Sequence, residues 1–120
     1  MSSIGWQCSN SGASLVSSYV ARAVPCGVRC INGVWLPNGN AEGYVYIHVF
    51  DGYSLPANGS VPMTQISICY EAKSKPFNFE LDFHEMGATC VNGLVICSST
   101  TCPTLTLDGA FMFVAAMTRV

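Results

Sequence analysis

The chain has 120 residues and a formal net charge of −2; half of it is hydrophobic and only 10% is charged. Soluble domains carry about 25% charged residues, so this chain leaves much of its surface to Ser, Thr, Asn, Gly and apolar groups, and association is a common way to hide such a surface. Arg22, Arg29, Lys73, Lys75 and Arg119 are scattered and make no basic patch for nucleic acid, and the longest apolar run, residues 110–117, is far too short to cross a bilayer.

The length fits one domain able to bury about two-thirds of its unfolded surface. Residues 1–13 are rich in Ser, Gly and Asn and read as a flexible N-terminal arm, the domain proper spanning 14–120. Ile4 and Trp6 are the apolar side chains that such an arm would order against a partner. No basic start leads into an apolar stretch, so the reading is synthesis in a cytosol without secretion.

Beyond the arm the chain repeats one theme: a short β-branched or aromatic run, then a turn signal. Strands are predicted over 15–24, 28–36 with a break at Asn32-Gly33, 44–50, 64–70, 77–83, 91–96, 104–107 and 111–118. Asn32-Gly33, Asn38-Gly39, Asp51-Gly52, Asn58-Gly59, Asn92-Gly93 and Asp108-Gly109 are dipeptides that readily take positive φ and so mark turns. The sum is an all-β antiparallel sandwich, jelly-roll-like, of about eight strands. Cys30-Ile-Asn-Gly-Val34 and Cys90-Val-Asn-Gly-Leu94 echo each other and read as two equivalent corners.

Face by face, the strands differ. In 77–83, Phe77, Phe79, Leu81 and Phe83 alternate with Asn78, Glu80 and Asp82, which gives one core side and one wet side. In 44–50 the alternation sets Val45, Ile47 and Val49 against Tyr44, Tyr46, His48 and Phe50, and 111–117 is likewise apolar on both faces. A strand apolar on both sides must meet something besides its own core. Tyr44, Tyr46, His48, Phe50, Phe111 and Met112 are therefore the candidate subunit-interface residues. His48 among aromatics reads first as a structural histidine, with a pH-sensitive contact as the alternative.

Seven cysteines in a chain without a secretory signal read first as small buried hydrophobes, Cys69, Cys90 and Cys97 in particular. Cys26 with Cys30, and Cys97 with Cys102, have loosely ligand-like spacing without a histidine pair, so metal is not expected, while a late disulfide within either pair stays open. Glu80, Asp82 and His84 share the wet face of their strand, but no nucleophile motif, phosphate cradle or metal signature accompanies them. The expectation is no enzyme, no cofactor and no small-molecule substrate. Asn58-Gly59-Ser60 matches a glycosylation sequon and is read as a turn; Trp35 and Tyr53 are aromatics that could stack on a sugar ring.

The succession "GVWLPNGNAEGYVYIHVFD", "LPANGSVP", "FNFELDFHEMGATCVNGLVICSSTT" and an apolar last strand resembles the small jelly-roll-type capsid decoration, or cement, proteins of tailed bacteriophages. The likeness runs from about Gly33 to Val120 and rests on strand-and-turn order with Asp51, Pro56, Gly59, Pro62, Gly87 and Gly93. It implies a virion protein made in the bacterial cytoplasm that forms a homotrimer, binds the major capsid protein on the outer shell surface and needs no cofactor. Within that reading Ile4 and Trp6 are the capsid contacts. The alternative is a carbohydrate-binding or structural component of the tail or fibre, using loops 35–40 and 51–58.

Overall fold

A computed structural model describes residues 5–12, 14–36, 43–70, 77–84, 87–107 and 111–120, the side chains of residues 43, 44, 65–70 and 111 excepted. Among the described residues nine strands form: β1 (Gln7–Asn10), β2 (Ser18–Arg22), β3 (Cys26–Leu36), β4 (Gly43–Phe50), β5 (Thr64–Tyr70), β6 (Phe77–Asp82), β7 (Ala88–Cys90), β8 (Leu94–Ser99) and β9 (Phe111–Arg119). No helix occurs among the described residues.

One sheet runs β1-β9-β3-β6 and the other β2-β8-β4-β5. β7 pairs with β3 as well, Ala88 to Cys90 facing Val28 to Cys26, directly beyond the stretch where β6 faces Cys30 to Trp35. β6 and β7 are thus one long strand interrupted opposite Arg29, whose carbonyl accepts the Phe83 amide at 2.8 Å. Counted so, eight strands alternate between two sheets, and only β4 and β5 are successive neighbours within one sheet. That is the connectivity of a jelly roll, two interlocked Greek keys. The all-β sandwich read from the sequence is the fold that forms.

Some boundaries moved, for local reasons. The predicted strand 15–24 shortens to β2 because Val16 exchanges amide bonds with Met112 on one sheet while Ser18 already faces Cys97 on the other. Within the predicted arm, Gln7–Asn10 pairs along β9. The segment 104–107 contributes one bridge, Leu107 to Ser99, and no strand. Asn32-Gly33 lies mid-strand in β3 and is not a turn, whereas Asn92-Gly93 does turn, so the two echoing pentapeptides are not equivalent corners. Asn38-Gly39 and Asp108-Gly109 lie outside the described residues.

Between the sheets sits the main core: Val28, Ile31 and Trp35 from β3, Val45, Ile47 and Val49 from β4, Leu94 and Ile96 from β8, Met112, Val114 and Ala116 from β9, with Phe79 from β6. These follow strand alternation, in which residues two apart share a face, except that an irregularity in β3 between Val28 and Cys30 brings Val28 and Ile31, three apart, to the same side. Burial of these aliphatic and aromatic groups, each of the large ones worth about 1.5–3 kcal/mol, is what holds the two sheets together.

A second, smaller core lies outside the sandwich. Phe50, Val95 and Cys97 on the outer face of the second sheet pack with Leu105, and Val20 borders them. Leu105 arrives on the loop after β8, which is stitched to the loop after β4: Gly59 N–H donates to the Leu105 carbonyl at 2.7 Å, Leu105 N–H to the Ser60 carbonyl at 2.8 Å, and Leu107 N–H to Asn58 Oδ1 at 2.9 Å. Ser99 Oγ anchors the base of that loop by accepting the Thr106 amide at 2.9 Å. β8 is consequently buried along all six residues. Asn58 serves this seam as an acceptor, consistent with a structural turn.

Candidate interaction surface

The two outer faces of the sandwich are unlike. On the second sheet, Tyr46, His48 and Phe50 point outward from β4, but the loop cover reaches them: His48 is fully buried and Phe50 is 7% exposed. His48 lies between Tyr46 and Phe50 with ring centroids 6.2 and 6.1 Å away, and directly opposite Cys97. Neither ring nitrogen makes a hydrogen bond of good geometry to the described residues, although the Thr101 backbone lies near the ring. Burial pushes the His48 imidazolium down in pKa, with the Thr101 backbone partly offsetting it, and burial pushes the Cys97 thiol up to about 12. A cysteine nucleophile needs its thiolate, and burial holds the Cys97 thiol protonated.

Stability therefore depends on pH through His48. Its folded-state pKa lies below the ordinary value of about 6.5, so below pH 6.5 the unfolded chain binds the proton first. The contribution is complete above about pH 6.5 and is lost progressively as pH falls below that value and through the lower folded-state pKa. Urea midpoints measured from pH 8 down to pH 5 should fall more steeply for wild type than for His48→Phe; parallel curves would show that His48 does not titrate differently on folding.

On the first sheet, alternation turns Met112, Val114 and Ala116 into the core and Phe113, Ala115 and Met117 outward. Met112, expected at a subunit interface, is fully buried and unavailable. β3 adds Cys30, Val34 and Leu36 to the outward side, all half-buried, with the exposed Asn32 between Cys30 and Val34. These two central strands make an apolar stripe. Asn78, Glu80 and Asp82 of β6 flank it on one edge and Cys8 and Asn10 of β1 on the other, all exposed. Beside Phe113 lies a shallow depression of about 190 Å³ lined by Asn10, Gly12, Asn32, Val34, Phe113 and Ala115. No loop covers the stripe among the described residues.

Trp6 closes one end of this face. Its indole lies against Gly27 and Gly87 and under the Arg119 guanidinium, 4.5 Å from the ring centroid. Gly87 has φ of 72°, and a Cβ there would come within 2.8 Å of the Val28 carbonyl oxygen and 3.1 Å of the indole, so only glycine admits both the turn and the ring. Trp6 is thus half-buried on its own sheet. Ile4 and the side chains of Tyr44 and Phe111 lie outside the described residues.

The remaining candidates separate. His84 leaves the strand in a left-handed turn, φ 65°, where its amide donates to Asp82 Oδ1 at 2.7 Å, so it does not share the wet face of Glu80 and Asp82. Cys26 is buried and faces inward in β3 whereas Cys30 faces outward, which removes both a disulfide and a shared metal between them. Trp35 is 2% exposed and belongs to the core rather than to a sugar-binding loop, while Tyr53 is 65% exposed. Cys90 and Cys97 are buried as expected. Asp51, noted as part of a turn dipeptide and of the decoration-protein likeness, proves to organise a corner: its carboxylate accepts the amides of Val91, Asn92 and Gly93 at 2.9, 2.8 and 3.4 Å. A lone Asp-Gly pair carries no signal for contacts forty residues away.

Comparison with known protein families, curated proteins and solved structures finds no match.

Proposed function

We propose that the chain is a structural virion protein that self-associates through the outward face of the β1-β9-β3-β6 sheet and, as a trimer, binds the outer surface of a phage capsid and stabilises it. The observation that carries the self-association is the apolar stripe of Phe113, Ala115, Met117, Val34 and Leu36 inside a polar margin. An apolar centre with a polar rim is the anatomy of a protein interface. Four strands at about 4.8 Å spacing and about 3.4 Å per residue over nine residues give a face about 19 by 30 Å, of the order that one partner contributes to a standard interface. The depression beside Phe113 offers a place for a neighbour's side chain, and the small number of charges supports the same reading.

The virion and capsid assignment rests on the resemblance to decoration proteins, and jelly-roll connectivity is one that viral capsid proteins and lectins use. Because lectins share it, and because Tyr53 and Leu55 stand exposed at 65% and 59% on the loop after β4, glycan recognition by a tail or fibre component is the second reading.

Light scattering on the purified protein and co-sedimentation with empty phage shells test both parts. The wild type should give three times the monomer mass and pellet with shells. Phe113→Glu and Met117→Glu place a carboxylate that stays solvated in the monomer, so each should run as a folded monomer with stability changed by less than about 1 kcal/mol. Oligomers that persist in both variants would remove this face from the interface. A wild type that ignores shells but binds immobilised glycans would replace the capsid reading with the tail one.

A further inference from the structure

Across the strands described here, each cysteine has a known opposite number. Cys8 faces Met117, Cys30 faces Met117 and Asp82, Cys69 faces Tyr44, and Cys97 faces Ser18 and His48. Cys26 and Cys90 alone face each other, at the seam where β7 joins β3. Both point into the interior, at 6% and 0% exposure, and their thiols are within hydrogen-bonding contact.

Directly opposed residues of an antiparallel pair have Cα atoms about 4.5–5.5 Å apart, inside the range of about 4.4–6.8 Å that a disulfide spans. Convergent Cβ vectors on one face of the sheet meet the other requirement. Cys8 and Cys30, by contrast, sit on either side of β9, two strand spacings or about 10 Å apart. They cannot join without moving the sheet.

We propose that Cys26 and Cys90 are an oxidisable pair, converted to a cross-strand disulfide by a small-molecule disulfide such as oxidised glutathione. Two S–H bonds break and one S–S bond forms; the two electrons and two protons pass to the oxidant, whose own S–S bond opens to give two thiols. The reaction proceeds through a mixed disulfide on whichever cysteine is attacked first. Both thiols are shielded and burial holds Cys90 up to about 12, so exchange in the closed protein is slow. β7 is three residues at a sheet edge, and local opening of such an edge admits the oxidant. The product would tie β7 to β3 and close a long loop between two distant parts of the chain, the geometry in which a cross-link restrains the unfolded state most. The reduced form would prevail in a cytosolic thiol pool and the oxidised one outside it. This inference stands independently of the self-association reading.

The test uses the full chain, reduced or equilibrated with oxidised glutathione, followed by non-reducing peptic mapping and thermal unfolding. The expected result is a linked peptide pair carrying Cys26 and Cys90, and a melting temperature higher in the oxidised sample by about 10 °C. Cys26→Ala should abolish both; Cys102→Ser, at an exposed loop cysteine, should preserve both. Oxidised wild type in which Cys26 and Cys90 remain free, carry glutathione, or pair with other cysteines overturns the proposal, and that mapping result is decisive even where a variant fails to fold.

Discussion

Replacing Gly33 by alanine should lower the unfolding free energy by about 3 kcal/mol or more, seen as a fall in the urea midpoint at unchanged slope. Gly33 sits inside β3, where alternation turns its missing side chain toward the core between Ile31 and Trp35. A Cβ there would fall onto the Phe113 carbonyl oxygen of β9 and within 2.6 and 2.9 Å of the Phe79 ring. The carbonyl belongs to the sheet backbone, and Phe79 is 5% exposed in a filled core, so neither can step aside cheaply. Glycine ordinarily weakens a strand; here the ring of Phe79 occupies the place that a side chain would take. Asn32→Ala, one residue away on the exposed side, should stay within about 0.5 kcal/mol. Equal midpoints for the two variants would show that the Gly33 site relaxes and that the close approach costs nothing.

Asp51→Ala should cost about 2–3 kcal/mol, and acid should imitate it. The carboxylate holds three amides of the β7–β8 turn, and hydrogen bonds to a charged group contribute about 1.5–3 kcal/mol before allowance for the water that replaces them in a half-exposed corner. Burial alone would raise the Asp51 pKa, but the amides of Asn92, Val91 and Gly93 outweigh it and hold the carboxyl below its ordinary range. The unfolded chain therefore binds this proton first as pH drops. Asp51 stabilises fully above its unfolded pKa of about 3.9 and loses that contribution as pH falls below it. Urea midpoints between pH 6 and pH 2 should converge for wild type and Asp51→Ala at the acid end. A gap that persists unchanged at pH 2 would mean that packing, and not the ionised clamp, sets the cost.

What could be read in the sequence follows from how local each signal is. β6 was legible because Phe77, Phe79 and Leu81 alternate with Asn78, Glu80 and Asp82, and a strand with one wet face has one possible orientation. β9 was recognisable as a strand, but its orientation was not, because Phe111-Met-Phe-Val114 offers an apolar residue at every position and residue type does not choose a side. Register with β3 chose it, placing Met112 inside and Phe113 outside, so the interface candidate moved by one residue. On β4 the division of Val45, Ile47 and Val49 from Tyr46, His48 and Phe50 was right, yet Phe50 meets Leu105 of its own chain and His48 is fully buried beside it. Nothing local announces that a loop fifty residues later folds over it. Asn32-Gly33 misled for a related reason: the dipeptide permits a turn, and only Phe79 across the sheet shows why a glycine is needed there.

The loop cover on one sheet, and the stripe left uncovered by the described residues on the other, leave this tile one broad face for association. A sandwich sticky on both sides could stack without end into fibres, since heterologous contacts that do not close propagate. Here the His48 side is already covered by Leu105 and the seam from Asn58 to Leu107, so under the proposed self-association growth through the Phe113 face would end once that face is satisfied. Assemblies of this chain should be small, closed and discrete in size, leaving the loop-covered side facing water.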